Sequence, residues 1–121
     1  MAKRILIVDD SASVRQVSNM ALTRAGYEVI EATDGQDALA RLAGKINLII
    51  SDVNMPRMDG ISFLKAVKAH ASYKFTPVIM LTTEAGEDKK NEGRAAGAKA
   101  WIVKPFQPQT LLDAVAKLCL A

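Results

Sequence analysis

Short apolar runs recur along the chain and predict five strands. They cover residues 3–8, 27–32, 46–50, 77–81 and 100–103. The third run, residues 46–50, is short and mostly apolar, which is typical of a strand buried on both faces of a sheet. Glu28 and Glu31 in the second run instead indicate a strand at the edge of the sheet.

Between these runs, apolar residues recur at intervals of three and four, the spacing of amphipathic helices. Ser11 or Ser13 can cap the first helix. The predicted buried face of that helix carries Val14, Val17 and Ala21. Apolar positions predict further helices within residues 38–43, 61–67 and 111–119, and residues 84–96 are a polar stretch that is compatible with a helix.

Strands and helices therefore alternate along the whole chain. This alternation predicts an α/β fold, a doubly wound parallel sheet of five strands with five helices on its two faces, because parallel strands need crossover connections. A length of 121 residues suits one domain with a real core. We expect a single domain over residues 1–121, without an output domain.

Composition and charge narrow the class of protein. Half of the residues are apolar and 24% are charged, as in soluble globular proteins. No apolar run approaches the roughly 20 residues of a membrane helix, and Cys119 is the only cysteine, so we expect a cytoplasmic protein without membrane attachment. The net charge of +3 comes from scattered basic residues, and no nucleic-acid partner is expected.

Polar side chains stand where four of the predicted strands end. Asp9 and Asp10 follow the first strand, Asp52 the third, Thr82 the fourth and Lys104 the fifth. A parallel sheet places these ends at one edge, where like charges about 4 Å apart repel by about 4 kcal/mol at an effective dielectric near 20. Mg²⁺ relieves such repulsion, and a lysine and a hydroxyl beside it suit a phosphoryl group. Asp52 is then the candidate nucleophile.

Each of these signals also has an ordinary structural explanation. An Asp-Asp pair after a strand is often a turn or a helix cap, a Lys-Pro pair often begins a loop, and a threonine often caps a helix. Because the polar residues at all four strand ends suit the same chemistry, a phosphoryl site explains them better than separate turns, loops and caps do.

Four segments together resemble a known family. They are ILIVDDSASVRQ, LIISDVNMPRMDG, VIMLTTE and AWIVKPF, and with them the chain resembles a response-regulator receiver domain of the chemotaxis CheY type along its whole length. The resemblance implies a flavodoxin-like fold with strand order 2-1-3-4-5. It also implies that Asp52 accepts a phosphoryl group from a histidine kinase.

The resemblance further implies a set of ligands for Mg²⁺. Asp10 and Asp52 would bind the ion directly, together with the backbone carbonyl of Asn54, whereas Asp9 would act largely through water. Lys104 would contact the phosphoryl group, and the peptide bond between Lys104 and Pro105 would be cis.

The remaining implied roles concern lifetime and output. Asn54 and Glu84 would flank the path of the water that removes the phosphoryl group, and Thr83 would partly shield that group. Thr82 would sense the phosphoryl group, and Trp101 would move in response. The alternative for Trp101 is a partly exposed side chain packed on the fourth helix. A target protein would dock on the face of the fourth helix, fifth strand and fifth helix, at Lys89, Lys90, Arg94, Lys99 and Trp101.

The function predicted from the sequence is a monomeric, phosphorylation-activated switch of a two-component system, in chemotaxis or flagellar motor control. It is a signalling phosphoacceptor and not an enzyme with an external substrate. A phosphorelay intermediate or a phosphate sink would share its chemistry. A Mg²⁺-dependent phosphatase is a less suitable alternative, because such enzymes usually carry a second carboxylate where this chain has Asn54.

Overall fold

The computed structural model describes residues 3–55, 57–83 and 87–119, in which five strands alternate with five helices. In chain order they are β1 (Arg4–Val8), α1 (Ala12–Arg24), β2 (Glu28–Ala32), α2 (Gly35–Ala40), β3 (Leu48–Asp52), α3 (Gly60–Ala69), β4 (Val78–Thr82), α4 (Glu87–Ala96), β5 (Ala100–Val103) and α5 (Pro108–Leu118).

The five strands form one parallel sheet in the order β2-β1-β3-β4-β5. This confirms the predicted fold class and the strand order that the family resemblance implied. The register places Asp52 beside Leu81 and Thr82 beside Val103. The ends of β1, β3, β4 and β5 therefore lie along one edge of the sheet.

Hydrophobic cores lie on both faces of the sheet. Ile50 belongs to the core that includes Leu22 of α1 and Leu111 of α5. Its neighbour Ile49 belongs to the opposite core, which includes Phe63 of α3. Because successive residues of a strand point to opposite faces, burial on both sides explains why the central strands are apolar throughout. Within the described ranges, none of the helices has the length and apolar character needed to cross a membrane.

The predicted buried face of α1 was wrong at one position. Val17 is 49% exposed, whereas Ser18 and Leu22 are fully buried and Val14 packs against the same core. The row that faces the sheet thus runs through Val14, Ser18 and Leu22, four residues apart. Apolar spacing along the sequence does not reveal this row, because its middle residue is a serine.

Several predicted boundaries also differ from the structure. The second helix was expected to extend through residue 43 but ends at Ala40, because its last turn closes on Arg41. Asp34 caps the start of this helix and Gly35 is its first residue, and the Asp34 side chain accepts a hydrogen bond from the Asp37 N–H. The first three residues of the predicted fourth helix, 84–86, lie outside the described residues.

Candidate functional site

Three carboxylates meet at the carboxyl edge of the central strands. Asp9 directly follows β1, and Asp52 is the last residue of the neighbouring strand β3. One carboxylate oxygen from each of Asp9, Asp10 and Asp52 lies within 4.8 Å of the other two. Asp9 and Asp52 are buried, whereas Asp10 is exposed. We refer to these three residues as the acidic cluster.

Lys104, which follows the edge strand β5, brings a positive charge to the acidic cluster. Its Nζ donates a hydrogen bond to Asp9 Oδ2 at 2.8 Å and lies 3.3 Å from Asp52 Oδ1. The side chain is only 14% exposed. Lys104 is held in place by a hydrogen bond from its backbone N–H to the carbonyl of Thr82, 2.7 Å long. The peptide bond between Lys104 and Pro105 is cis, as the resemblance implied.

Burial and neighbouring charges shift the pKa values of Asp52 and Lys104. Burial raises the pKa of Asp52, and the negative charge of Asp9 raises it further, while Lys104 acts in the opposite direction. For Lys104, burial alone would lower the pKa, but the hydrogen bond to Asp9 and the charges of Asp9 and Asp52 outweigh it and raise the pKa. The lysine is therefore charged, whereas ionising Asp52 is costly.

The acidic cluster meets the requirements for a hard divalent cation. Its donors are carboxylate oxygens, which Mg²⁺ prefers, and they lie close enough together to share one ion. The pKa of Asp52 is raised by burial first and by the charge of Asp9 second, in spite of Lys104, so a further positive charge would favour the ionised site. The site residues therefore fit a metal site, as the sequence predicted.

Thr82 and Trp101 lie on the same face of the sheet. Met80 and Trp101, neighbours across β4 and β5, both pack into the core on the side of α2, α3 and α4. Thr82 comes two residues after Met80 and is fully buried, so its side chain belongs to that face as well. A contiguous face thus connects the edge that holds the acidic cluster with Trp101.

Trp101 packs directly on α4. A Cβ atom built at Gly93 would lie 2.4 Å from Trp101 Cζ3, so only glycine leaves room for the six-membered ring of the indole. Trp101 Nε1 is buried and has no hydrogen-bond partner among the described residues. The packing on the fourth helix, given above as the alternative for Trp101, is thus present in the structure, and the switching role stays a prediction.

The other residues predicted for lifetime and output occupy the following places. Asn54 is exposed in the loop after Asp52. Thr83 is also exposed and lines an apolar groove of about 300 Å³ together with Val17 and Phe106. A larger groove of about 460 Å³ runs along β5 and α5 beside Trp101. Arg94 and Lys99 are exposed near it, whereas Glu84 and the side chains of Lys89 and Lys90 lie outside the described part.

The loop after Asp52 is tied to the start of α2. Arg57 has a left-handed backbone, with φ of 64°, and its Nε donates to Asp34 Oδ2 at 2.8 Å. The N–H of Asp37 and the guanidinium of Arg57 hold the pKa of Asp34 below its ordinary value. The next residue, Met58, packs against Gly35. None of these contacts was predicted.

Arg15 is the second arginine that the sequence analysis missed. Its Nη1 donates to the backbone carbonyl of Asp9 at 2.6 Å. Long helical side chains point back toward the helix N-terminus, so an arginine in the second turn of a helix that follows Asp9 and Asp10 was a usable signal. We found no such signal for Arg57.

Several known proteins are similar to this chain in fold and sequence. The solved structure of the chemotaxis response regulator CheY4 of Vibrio cholerae has a TM-score of 0.92 and 50% identity, and the match covers 98% of this chain and 99% of that one. Chemotaxis protein CheY1 of Helicobacter pylori is 40% identical over 113 residues, 91% of each protein. Protein PilG of Pseudomonas aeruginosa is 38% identical over 113 residues, 93% of this chain and 84% of PilG.

The family model for the response regulator receiver domain matches residues 5–116. This range contains every element from β2 to β5 and all residues of the acidic cluster, together with Lys104. The family resemblance inferred from four sequence segments is thereby confirmed, and the chain belongs to the response regulator receiver domain family.

Proposed function

We propose that this receiver domain is a phosphorylation-activated switch of two-component signalling, and that it acts in chemotaxis. The observation that carries the proposal is the acidic cluster with Lys104 Nζ lying 2.8 Å from Asp9 and 3.3 Å from Asp52. Similarity to proteins named CheY1 and CheY4 supports the pathway. The chain is a signalling protein and not a classical enzyme.

Asp52 is the proposed phosphoacceptor. In its ionised form, a carboxylate oxygen attacks the phosphorus of a phosphohistidine on the donor kinase. The new O–P bond forms as the P–N bond breaks, and the electron pair remains on the imidazole nitrogen, which takes up a proton. Asp52 Oδ1 already accepts a hydrogen bond from the Val53 N–H at 2.9 Å and faces Lys104, so we assign the attack to Oδ2.

Charge stabilisation is the main task of the surrounding residues, because phosphoryl transfer is largely positioning and electrostatics. Lys104 would exchange part of its contact with Asp9 for an oxygen of the incoming phosphoryl group. Asp10, Asp52 and the backbone carbonyl of Asn54 would hold Mg²⁺, with Asp9 contributing through water. When bound, the ion neutralises charge on the phosphoryl oxygens.

Loss of the phosphoryl group returns the domain to its resting state. Water attacks the phosphorus and the Asp52 carboxylate leaves, so that the domain slowly dephosphorylates itself. Asn54 and Thr83 are exposed and lie just after the ends of β3 and β4, and we propose that they and Glu84 set the lifetime of the phosphorylated form.

The output is proposed to pass from Thr82 to Trp101. A phosphoryl group adds about two negative charges, which attract the Thr82 hydroxyl and open space on the face that Thr82 shares with Trp101. The target would dock on α4, β5 and α5, where Arg94 and Lys99 provide exposed positive charge. Lys89 and Lys90 are proposed to belong to the same face.

The proposed partners follow from the family. A histidine kinase donates the phosphoryl group, and a target protein, such as a component of the flagellar motor, reads the change. We propose that the domain works as a monomer in the cytoplasm and binds no nucleic acid.

The fluorescence of Trp101, the only tryptophan, tests the acceptor chemistry and the coupling together. With Mg²⁺ and acetyl phosphate as the phosphodonor, we expect the emission of the parent protein to change and to recover after the donor is removed. Asp52→Asn should abolish this change. The proposed function is wrong if both proteins respond equally. It is also wrong if the parent shows no change in emission and mass spectrometry finds no phosphorylated species.

Gly93→Ala is expected to displace the indole of Trp101. The added methyl group would lie 2.4 Å from Cζ3, and the ring is easier to move than the helix backbone. We expect red-shifted resting emission and a smaller response to phosphorylation. Ala95→Gly is the matched control, because Ala95 is exposed on the same helix and its loss costs about 1 kcal/mol of helix propensity without touching the indole. Equal spectra for both variants would contradict the packing role of Gly93.

A further inference from the structure

Arg15 connects the end of β1 to the edge strand β2. Its Nη1 donates to the carbonyl oxygen of Asp9 at 2.6 Å, and its Nε donates to Glu31 Oε1 at 3.1 Å. The side chain is 16% exposed, so this arginine spans a largely buried gap. Both contacts leave from one rigid guanidinium plane, which fixes its orientation.

The Arg15 contact completes the anchoring of Asp9. Oδ1 of Asp9 accepts from the N–H of Ser11 at 2.8 Å, and Oδ2 accepts from Lys104 Nζ at 2.8 Å. The carbonyl that accepts from Arg15 belongs to the peptide group that joins Asp9 to Asp10. Because a peptide group is planar, holding its oxygen also sets the direction in which Asp10 leaves the strand. The exposed member of the acidic cluster is therefore oriented through its backbone.

Glu31, the carboxylate that contacts Arg15, is itself held by Asn19, which Thr23 holds in turn. Glu31 Oε2 accepts from Asn19 Nδ2 at 2.8 Å, and the Asn19 Oδ1 accepts from the Thr23 hydroxyl at 2.7 Å. Glu31 also neutralises the guanidinium charge, whereas Lys104 contacts two carboxylates of the cluster directly. The geometry of Arg15 thus matters more than its charge.

We propose that Arg15 is a positioning residue of the metal site, which orients the Asp9–Asp10 peptide group so that Asp10 and Asp52 face the same cation, with Glu31 fixing the side-chain conformation of Arg15. This inference rests on the divalent-cation site of the proposed function. It assigns to α1 and β2, which contribute no residue to the acidic cluster, a part in setting the affinity for the ion.

The test measures binding of Mg²⁺ by calorimetry and of Mn²⁺ by electron paramagnetic resonance, neither of which depends on phosphorylation. Arg15→Met should weaken binding about tenfold, the scale found when a residue that orients a metal ligand is lost. Arg15→Lys keeps the charge but cannot reproduce both contacts, and it should recover less than half of that loss on a logarithmic scale. Arg24→Met, at the exposed end of the same helix, should bind as the parent does.

Glu31→Ala distinguishes positioning from a general loss of structure. On its own it should weaken binding several-fold, but it should add nothing in the Arg15→Met background, because its effect passes through that arginine. Circular dichroism and urea unfolding identify any variant that does not fold. If Arg15→Met does not fold, the ion affinities of Arg15→Lys and Glu31→Ala are compared with that of the parent instead. Unchanged affinity in the Arg15 variants, full recovery with lysine, or independent effects of the two sites would each overturn the proposal. A parent protein that binds neither ion would overturn the metal site itself, and this inference with it.

Discussion

Asp52→Asn is expected to make the metal-free protein more stable at neutral pH, by about 1–3 kcal/mol, although it removes the proposed phosphoacceptor. Ionised Asp52 faces two other carboxylates and one lysine. Burial is the first cause that disfavours the ionised carboxylate, and repulsion from Asp9 is the second, while Lys104 offsets part of both. Each charge pair at this separation contributes about 3–4 kcal/mol at an effective dielectric near 20, so the part that Lys104 leaves uncompensated is smaller than one such pair. Asparagine has nearly the same shape and no charge, and it relieves this repulsion.

The dependence on pH follows from the direction of the shift. The pKa of Asp52 is raised in the folded protein, first by burial and then by Asp9. Its favourable contribution is fully present below the unfolded pKa and is lost as pH rises through the folded pKa. The advantage of Asp52→Asn should therefore be greatest at neutral pH and shrink as the medium is acidified and Asp52 takes up its proton.

Urea unfolding in the presence of a chelator measures this difference. Asp113→Asn is the matched control, because Asp113 is exposed on α5 and surface changes usually alter stability by less than about 0.5 kcal/mol. Saturating Mg²⁺ should reverse the order, since a ligand at about 100 times its Kd stabilises the parent by about 2.7 kcal/mol. An asparagine variant that is no more stable than the parent in chelator would contradict the electrostatic argument.

Gly60→Ala is expected to destabilise the protein by about 2–3 kcal/mol, in the upper part of the usual range of about 1–3 kcal/mol for overpacking a buried site. A Cβ at this position would lie 2.0 Å from the carbonyl oxygen of Asp52 and 2.9 Å from the Cα of Val53. Both atoms are backbone and cannot rotate away. The Gly60 N–H also donates to the Val53 carbonyl at 2.7 Å, so the close approach cannot be relieved without lengthening this hydrogen bond.

The same substitution should weaken Mg²⁺ binding, because the displaced loop carries Asn54. Gly26→Ala provides the comparison: its φ of 98° strains any side chain, yet nothing lies within 4 Å of the added Cβ. We expect Gly26→Ala to cost about 1–2 kcal/mol through the left-handed backbone and to leave ion binding unchanged. Calorimetric titration of both variants separates a loss of stability from damage to the site, and a Gly60 variant as stable as the parent would refute the steric argument.

Most of the acidic cluster was predictable because it depends only on the type and order of the elements. Once the strands were known to be parallel, the residues that follow them had to share one edge of the sheet. Asp9, Asp52 and Lys104 were grouped on this basis, and the structure brings them within contact distance. No knowledge of side-chain conformation was needed.

The arginine contacts could not be derived in the same way. Whether Arg15 reaches Asp9 or the solvent depends on the rotation of α1 about its axis, and the sequence suggested a rotation that would bury Val17. Ser18 lies on the buried row instead, and a serine carries no apolar signal. The positive φ of Arg57 was even less accessible, because it arises from tertiary contacts that outweigh the local preference of the residue.

The buried indole N–H of Trp101 affects how readily the conformation of the domain changes. A buried donor without a partner costs about 1–3 kcal/mol, and Nε1 has none among the described residues. A conformation in which this N–H gains a hydrogen-bond partner recovers that free energy. Inverting a 1:99 population takes about 5.5 kcal/mol. The cost of the unpartnered indole N–H raises the free energy of the observed conformation by a sizeable fraction of that amount before any phosphorylation. A phenylalanine at this position would lack that contribution, so the choice of tryptophan itself sets how close the resting and active populations lie.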